Sequence, residues 1–478
     1  MATRKSAGTE TGARALTALL LLLASCRGQE ASPVRSAILV TIDTLRADHV
    51  SAYGYSRLTT PHLDELFARG TRFENAFATS CRTAPSHASM LTGLYPSFLT
   101  IDIENGVYPL HEGHTTLAEI CQDAGLSTVA IVSNPVLGRN LGLGQGFEVY
   151  RDEMPVTEAN RSFGERRAAD TVDLALSALE DLKDRRFLLW IHFQDPHGPY
   201  DAPGEHPFAS ADIPGPELPL GDDQSGFGAL PLYQRRGDET RLGAYVLAYD
   251  AEIRYLDHHL GRLLDSLKTS GLGTTTMVAI TADHGEAFGE EGWYCAHGHG
   301  TGLDQTHVPL GFVGPGVARG RVLRRAVSNL DVFATLLETL GLEAPGGAQS
   351  RSLLASLRAG EEPDDIPGFS ESATQRASFC GNVYLREDRA PLSDREFWAR
   401  GNPFTGAPFV PLGKTLIDPL EGAQEETTDR DVKTARDALL RFSSRADVAR
   451  SELDAIRRSA RPLGDDEREK LRRLGYLR

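Results

Sequence analysis

Short apolar runs rich in β-branched residues alternate along this chain with longer stretches in which apolar residues recur every three or four positions. The runs are typical of buried parallel strands, and the longer stretches are typical of amphipathic helices. This alternation predicts an α/β fold with a largely parallel central sheet covered by helices on both faces. The predicted strands are 37–43, 72–78, 127–132, 187–193, 276–281 and 308–313, and the predicted helices are 60–69, 86–91, 115–124, 166–182, 242–267 and 329–340.

The pattern changes at two later places. Residues 201–237 are rich in Pro, Gly and Asp, which predicts a long surface excursion at the rim of a site. After residue 346, charged segments rich in Pro and Gly precede helical stretches over about 430–460. We therefore predict a main domain over 37–345 and a smaller C-terminal subdomain over 346–478.

The N-terminus has the pattern of an export signal. Basic residues precede an apolar run over 16–23, which is too short to cross a bilayer stably. The sequence Leu-Ala-Ser-Cys that ends at Cys26 resembles a bacterial lipobox, which predicts cleavage before Cys26 and lipidation of its thiol. Residues 1–25 would then be a lipoprotein signal peptide and 26–36 a tether. We expect an exported protein, lipid-anchored at the bacterial cell envelope, at the outer membrane and facing the periplasm or the cell surface.

Charge and cysteine content limit the partners. The chain has 478 residues, with 50 basic and 66 acidic side chains and a net charge of -16. This acidic balance without a basic cluster argues against nucleic-acid binding, and any attraction of an anionic substrate must be local. The cysteines after Cys26 match no zinc-site spacing, and an exported location would leave their pairing open. They are Cys81, Cys121, Cys295 and Cys380.

Possible metal ligands stand at the ends of two predicted strands. Asp43 ends the first strand, and Asp283 with His284 follows 276–281. Ligand sites of open parallel sheets lie at the carboxyl ends of the strands. Carboxylates and imidazoles are suitable ligands for a divalent cation. We expect these three residues to hold one divalent metal ion, and the imidazole favours Mn²⁺ or Zn²⁺ at least as much as Ca²⁺.

Residues 83–93 carry the most informative motif of the chain. They read Thr-Ala-Pro-Ser-His-Ala-Ser-Met-Leu-Thr-Gly and resemble the nucleophile motif of the sulfatase family, within the alkaline phosphatase superfamily. That motif runs Cys/Ser-x-Pro-x-Arg-Ala-Ser-x-Leu-x-Gly. Thr83 stands where the family has the Cys or Ser that is oxidised to formylglycine, and His87 stands where it has Arg. The resemblance implies an alkaline-phosphatase-like fold with a smaller C-terminal α+β subdomain.

The threonine changes the chemistry that the motif implies. Threonine cannot yield formylglycine, so none is expected at Thr83. Its hydroxyl can attack sulfur or phosphorus directly if a metal lowers the hydroxyl pKa. Cys81 is an alternative nucleophile, but it lies four residues before Pro85, whereas the maturation motif needs two. We interpret Cys81 as a small buried residue.

Further segments resemble sulfatase motifs in the family's order. In the first, Asp43 is implied as a metal ligand, and Thr44, which replaces a second Asp of many sulfatases, is implied at the metal site as a further ligand. Another implies Asp283 and His284 as metal ligands, in agreement with their place at a strand end. The spacing after Asp195 lacks the extra His of two-metal relatives, which favours a single metal. The segments are 42–49, 195–200, 281–286 and 297–299.

The same resemblance implies roles for residues around the metal. His197 and His297 are candidates to protonate the leaving oxygen. His87 and His299 would contact the remaining anionic oxygens of the substrate. Arg139, which lies roughly where sulfatases carry a Lys, would do the same.

Three functions remain open from the sequence. The first is a sulfatase-like, metal-dependent hydrolase of sulfuric esters or closely related esters. The second is a phosphodiesterase or phosphonate ester hydrolase that uses Thr83 as the direct nucleophile. The third is a catalytically silent lipoprotein that binds glycans. Each of these functions implies an anionic partner. Whether that partner is a sulfated or phosphorylated small molecule, glycan or lipid stays open, because substrate choice lies in rim loops without a readable code.

Overall fold

The computed structural model describes most of the chain. The predicted signal segment, including Cys26, and the tether up to residue 33 lie outside the described residues. Within the part that is described, no helix has the length and apolar character needed to cross a bilayer. The described residues are 34–101, 108–158, 164–204, 207–208, 211, 214–381, 383–388, 415–419 and 429–459, with the backbone alone for 388, 415–419, 429 and 454–459.

An eight-stranded sheet forms the centre of the fold, in the order β8-β2-β7-β6-β1-β5-β3-β4. β7 pairs antiparallel with both of its neighbours, and every other neighbouring pair is parallel. The predicted largely parallel sheet is therefore confirmed. The strands are β1 Ser36–Ile42, β2 Thr71–Phe73, β3 Ser127–Ile131, β4 Val149–Arg151, β5 Phe187–Phe193, β6 Thr276–Ala282, β7 Leu310–Val313 and β8 Arg321–Leu323.

Both faces of the sheet are covered by helices, which explains why its central strands are apolar at every position. In β1, Ala37 and Leu39 pack into one apolar cluster, whereas Ile38, Val40 and Ile42 pack into another. Side chains of α2, α3, α7 and α8 join the first cluster, and those of α1, α4 and α5 join the second. The helices are α1 Pro61–Ala68, α2 Thr83–Thr92, α3 Leu117–Asp123, α4 Ala168–Leu182, α5 Leu242–Thr269, α6 Leu303–Thr306, α7 Asp331–Thr339, α8 Leu354–Ala359 and α9 Asp429–Ser459.

The register of the central strands sets the position of the site. Ile42, the last residue of β1, pairs with Phe193 of β5 and with Ala282 of β6. The residues that follow these strands therefore leave the sheet side by side. Parallel pairing thus brings Asp43 and Asp283 together, although 240 positions separate them in the sequence.

A smaller antiparallel sheet follows the main sheet, and α9 packs against it. Ala435 and Leu439 of α9 contact Val383 and Leu385 of this sheet. The strands are β9 Gly368–Glu371, β10 Gln375–Cys380, β11 Val383–Asp388 and β12 Thr415–Pro419. The described residues also form three two-stranded sheets: Ala76–Phe77 with Val327–Ser328, Val156–Thr157 with Gly164–Glu165, and Ala287–Phe288 with Tyr294–Ala296.

The one predicted strand that differs clearly is 72–78. It is divided into β2 and the short strand Ala76–Phe77, which pair with different partners. Hydrophobic periodicity cannot distinguish one long strand from two strands that belong to different sheets, because both are buried.

A buried ion pair connects the smaller sheet to the main body. Arg376 of β10 donates to Glu371 of β9 (Nε to Oε1, 3.0 Å), and both side chains are almost fully buried. The amide of Ser97 donates to the other carboxylate oxygen of Glu371 at 3.0 Å. Removing Arg376 would leave the Glu371 carboxylate buried without its cationic partner, whereas Arg376 also pairs with Asp447 at 3.1 Å.

We expect Arg376→Met to lower the free energy of unfolding by about 3–5 kcal/mol, because the Glu371 carboxylate would stay buried without its partner. Urea denaturation followed by circular dichroism would measure it. Arg262→Met is the matched control, since Arg262 pairs with Asp173 at the surface and should cost less than about 1 kcal/mol. Equal losses in the two variants would contradict this account.

Candidate active site

Three predicted metal ligands meet where β1 and β6 end. Asp43 follows β1, and Asp283 and His284 follow β6; all three side chains are fully buried. One ligand atom from each residue lies within 4.8 Å of the others. We refer to Asp43, Asp283 and His284 as the acceptor cluster, because each directs an electron pair toward the same point.

The tautomer of His284 follows from its hydrogen bonds. Its Nδ1 donates to the carbonyl oxygen of Gly285 at 2.9 Å, so Nε2 carries the lone pair in the neutral ring. Nε2 lies 3.5 Å from Oδ2 of Asp283 and 3.8 Å from Oδ1 of Asp43. A lone pair that faces two carboxylates is repelled unless a positive charge lies between them.

The electrostatics of the cluster fit a divalent cation. Burial raises the pKa of Asp283 well above its usual range, and the neighbouring Asp43 raises it further. Burial lowers the pKa of His284 to about 3, and His297 adds to this effect. Oδ2 of Asp283 has no hydrogen-bond donor. Oxygen and imidazole ligands of this kind suit a divalent metal ion, and they do not by themselves select which one.

Thr44 has a strained backbone that helps to fix Asp283. Its φ is +54°, which is unusual for a β-branched residue. In this conformation its amide donates to Oδ1 of Asp283 at 3.2 Å, and its carbonyl accepts from the hydroxyl of Tyr249 at 2.7 Å. Its hydroxyl is buried without a hydrogen-bond partner. Metal ligation by Thr44 stays a prediction, whereas the contact of its backbone with Asp283 is direct.

Thr83 lies beside the acceptor cluster. It is the first residue of α2 and is fully buried. Its Oγ1 is 3.2 Å from Nε2 of His284, so a hydroxyl proton has an acceptor within reach. Cys81 is buried, and burial raises the pKa of its thiol to about 11. A thiol that holds its proton is a poor nucleophile, which favours Thr83 over Cys81.

His87 binds the backbone of Thr83. Nδ1 of His87 donates to the carbonyl oxygen of Thr83 at 2.8 Å, and Nε2 accepts from the hydroxyl of Thr41 at 2.9 Å. Burial, and then the nearby His192, lower the pKa of His87 well below its usual range. The ring is neutral and both nitrogens are engaged, so this geometry gives it no atom for a substrate oxygen. Its predicted substrate contact would require these bonds to break.

His197 and His297, the two residues predicted to protonate the leaving oxygen, form a row of imidazole rings with His284. The ring centres of His284 and His297 are 4.6 Å apart, and those of His297 and His197 are 5.1 Å apart. Nδ1 of His297 lies 3.1 Å from Oε1 of the fully buried Glu286. This carboxylate orients the ring and favours its protonated form. Nδ1 of His197 donates to the carbonyl oxygen of Gly198 at 2.7 Å.

The other two predicted substrate contacts lie apart from each other. His299 stacks on Trp293 with ring centres 3.9 Å apart, and its Nε2 is 2.8 Å from Nε2 of Gln305. Arg139 is exposed, lies over the ring of Tyr150 and has no recorded contact with the acceptor cluster among the described residues. Its role in substrate binding stays a prediction without geometric support.

Two residues that hold Asp43 were not predicted from the sequence. Nδ2 of Asn134 donates to Oδ2 of Asp43 at 2.8 Å. His192 accepts the amide of Ser133 at Nδ1, so its protonated Nε2 faces the same oxygen at 3.6 Å. A histidine within the apolar run of β5 was the available signal. Asn134 gave none, because it follows β3 in an ordinary loop.

Arg82 is a third residue that was not predicted from the sequence. It precedes α2, next to Thr83, and its guanidinium lies beside the loop of His297 and His299. A Cβ placed on Gly298 would be 3.1 Å from its Cζ, and its charge contributes to the lowered pKa of His284. This cation, rather than Arg139, stands near the nucleophile. Its place beside Thr83 in the sequence was the signal that could have identified it.

Comparisons with known proteins agree with this geometry. The family model described as Sulfatase matches residues 35–342. The chain belongs to the sulfatase family. It is therefore a hydrolase that acts on ester bonds. A sulfatase of Formosa agariphila is 24% identical over 403 residues, which cover 71% of this chain and 77% of that protein.

Several solved structures share the fold of this chain although their sequence identity to it is low. One, determined in complex with its substrate D-glucosamine-2-N,6-O-disulfate, has a TM-score of 0.65 and 17% identity, and the match covers 88% of this chain and 98% of that one. The phosphonate monoester hydrolase of Silicibacter pomeroyi has a TM-score of 0.61 and 20% identity, with 87% and 95% coverage. The predicted alkaline-phosphatase-like fold is thereby confirmed.

We expect Glu286→Gln to lower kcat about tenfold to a hundredfold, because His297 would lose the carboxylate that orients it and favours its protonated form. The loss should be largest at high pH, where the protonated ring is scarcest, so a pH–rate profile is the measurement. Glu290→Gln is the control, since the partly exposed Glu290 pairs with Arg46 at 2.9 Å and not with a histidine. An unchanged profile in Glu286→Gln would remove His297 as the acid.

Proposed function

We propose that this protein is a metal-dependent hydrolase of sulfuric esters in which the hydroxyl of Thr83 attacks the substrate directly. The observation that carries the proposal is the 3.2 Å distance from Oγ1 of Thr83 to Nε2 of His284, which places the hydroxyl beside the three buried side chains that would hold the ion. The divalent ion held by the acceptor cluster would lower the pKa of the hydroxyl and neutralise charge on the ester oxygens.

The proposed reaction has two steps. The hydroxyl of Thr83, made acidic by the bound ion, would lose its proton to solvent, and Oγ1 would form a bond to sulfur as the bond from sulfur to the leaving oxygen breaks; His297 or His197 would give that oxygen a proton. A water would then attack the sulfur and give a proton to the same histidine, the bond from sulfur to Oγ1 would break to release sulfate, and Oγ1 would take a proton from solvent. Arg82 would hold the remaining anionic oxygens. The substrate is an anionic ester of a small molecule, glycan or lipid.

A phosphonate or phosphodiester substrate is the second candidate. The favouring observation is the threonine itself, because its hydroxyl gives a direct ester with phosphorus without any aldehyde chemistry. The fold likeness to a phosphonate monoester hydrolase is consistent with this candidate. The two reactions need the same residues in the same roles, so only the substrate distinguishes them.

We expect Thr83→Ala to lose at least about a thousandfold in kcat on the true substrate class, whereas Thr83→Ser keeps most of it. The full chain would be stripped with a chelator, restored with Mn²⁺, Zn²⁺ or Ca²⁺ singly, and assayed on aryl sulfate, aryl phosphate, a phosphodiester and a phosphonate ester. Thr92→Ala is the control, because the hydroxyl of Thr92 donates to the carbonyl oxygen of Ala88 within the same helix and does not contact the acceptor cluster in any bond recorded among the described residues.

The pattern of loss decides between the candidates. Sulfate turnover that needs Thr83 supports the proposal, and diester or phosphonate turnover that needs it supports the second candidate. Turnover that survives in Thr83→Ala contradicts the direct nucleophile. Silence on all four substrates with metal bound would favour a glycan-binding lipoprotein.

We also propose that the protein is exported and anchored through a lipid on Cys26, as the lipobox-like sequence suggests. Expressed in a bacterial host, the full chain should incorporate labelled fatty acid and sediment with membranes. Cys26→Ser should do neither, because it lacks the thiol that is acylated. Label in Cys26→Ser, or a wild-type chain without label, would contradict lipidation.

A further inference from the structure

Residues 297–299 form a loop that carries the candidate acid His297 and the stacked ring of His299, and we call it the His297 loop. One buried side chain outside this loop contacts it at three points. It belongs to Gln305 of the short helix α6 and is only 2% exposed. Gln305 is neither a predicted metal ligand nor a predicted substrate contact.

The hydrogen bonds of Gln305 fix which end of its side-chain amide is the oxygen. The backbone amides of Gly298 and His299 both donate to one atom of this side chain, at 3.0 and 3.4 Å. Only an oxygen can accept from two N–H groups, so this atom is Oε1 and the other end is the donor Nε2. Nε2 of Gln305 lies 2.8 Å from Nε2 of His299 and 3.2 Å from Oδ2 of Asp304.

The tautomer of His299 follows from this orientation. Because Nε2 of Gln305 can only donate, Nε2 of His299 must accept, and the ring is neutral with its proton on Nδ1. Burial, and then the nearby His297 ring, lower the pKa of His299 well below its usual range, and contact with the backbone of His297 offsets only part of this. Stacking on Trp293, and a bond of 2.8 Å from Oγ1 of Thr374 to the carbonyl oxygen of His299, fix the residue further.

Gln305 also acts on His297 through the backbone. The N–H of Gly298 belongs to the peptide unit that contains the carbonyl group of His297, and this unit is planar. The bond to Gln305 therefore restricts the backbone rotation ψ of His297. Gly298 has a φ of +87°, which a residue with a Cβ seldom adopts, so the same bond holds a turn that depends on glycine.

The main chain of Gln305 connects the His297 loop to the acceptor cluster. Its carbonyl oxygen accepts from the amide of Gly285 at 2.9 Å. The carbonyl oxygen of Gly285 in turn accepts from Nδ1 of His284 at 2.9 Å. One residue thus contacts the peptide beside a predicted metal ligand and the loop of the candidate acid. This double contact restricts the separation of the rings of His284 and His297, whose centres are 4.6 Å apart.

We propose that Gln305 is a positioning residue for His297, and that it acts by holding the His297 loop and the tautomer of His299 with its proton on Nδ1. The kinetic part of this inference rests on the proposed function, in which His297 protonates the leaving oxygen. A general acid acts only within hydrogen-bond distance of its target. Displacement of a reacting group by about 1 Å can cost about a hundredfold in rate, so the loop must be held closely.

The tautomer can be measured without turnover. The full chain is labelled with ¹⁵N in its histidine rings, and a two-bond ¹H–¹⁵N correlation spectrum at neutral pH distinguishes a proton on Nδ1 from one on Nε2 or on both. The signal of His299 is the one that is absent from His299→Gln. We expect this signal to report a neutral ring with its proton on Nδ1. A proton on Nε2, or on both nitrogens, would overturn the proposal.

Turnover of different leaving groups tests the positioning role. Gln305→Met removes the amide at similar volume and should shift the ring signals of His297 and His299. On a series of aryl esters, turnover of poor leaving groups, which need the acid, should fall about tenfold to a hundredfold. Turnover of nitrophenyl esters, whose leaving oxygen needs little protonation, should fall less than about threefold. Equal losses across the series would show a merely structural role and overturn the proposal.

The matched control is Gln349→Met. Gln349 also accepts a backbone amide, that of Tyr95 at 2.8 Å, in a bond that does not involve the His297 loop. This variant should change neither the ring signals of His297 and His299 nor the dependence on the leaving group. Changes equal to those in Gln305→Met would contradict a specific role of Gln305.

A second variant covers a failure of Gln305→Met to fold. Gln305→Glu keeps an oxygen for the two backbone amides of the His297 loop, but its carboxylate cannot donate to His299. The proton pattern of the His299 ring should therefore change, and an unchanged pattern would overturn the proposal. If the wild-type chain turns over none of the esters, the proposed function fails, whereas the spectra still decide the inference about Gln305.

Discussion

The repulsion among buried acceptors at the ends of β1 and β6 is the constraint on which the site depends. Asp43, Asp283 and the lone pair of His284 lie within 4.8 Å of one another, and the surrounding structure holds them there. The backbone amide of Thr44, the side-chain amide of Asn134 and the carbonyl of Gly285 each fix one member. Only a positive charge completes this arrangement, and it is the same charge that would activate Thr83.

The nucleophile position is fixed by backbone geometry rather than by the identity of its side chain. α2 begins at Thr83, the ring of His87 binds the carbonyl of that residue, and Thr41 in turn binds His87. These contacts hold Oγ1 beside His284 whether the residue forms an aldehyde or not. The main chain at this position is therefore held by contacts that do not involve the side chain of Thr83, so the chemistry of the position depends on the side chain that stands there.

The predicted and observed sites agree where a residue follows a strand and differ where it lies in a loop. Asp43, Asp283 and His284 were predictable because apolar runs end at them and parallel strands align their carboxyl ends. Arg139 was predicted to contact the substrate from a loose alignment of a loop. In the structure Arg139 lies over Tyr150, and Arg82 is the arginine next to Thr83. Loop length and direction carry no periodic signal, so the position of Arg139 could not be read from the sequence, whereas Arg82 could have been found from its place next to Thr83.

The sequence by itself determined the order of strands and helices, the burial of both sheet faces and the residues at the strand ends, because these depend on local periodicity. Only the tertiary structure decided that both ring nitrogens of His87 are engaged, that Glu286 contacts His297, and that Asn134 and His192 face Asp43. Such facts depend on which distant segments pack together. Tautomers, pKa shifts and unsatisfied oxygens arise from burial and neighbours, which no linear pattern specifies.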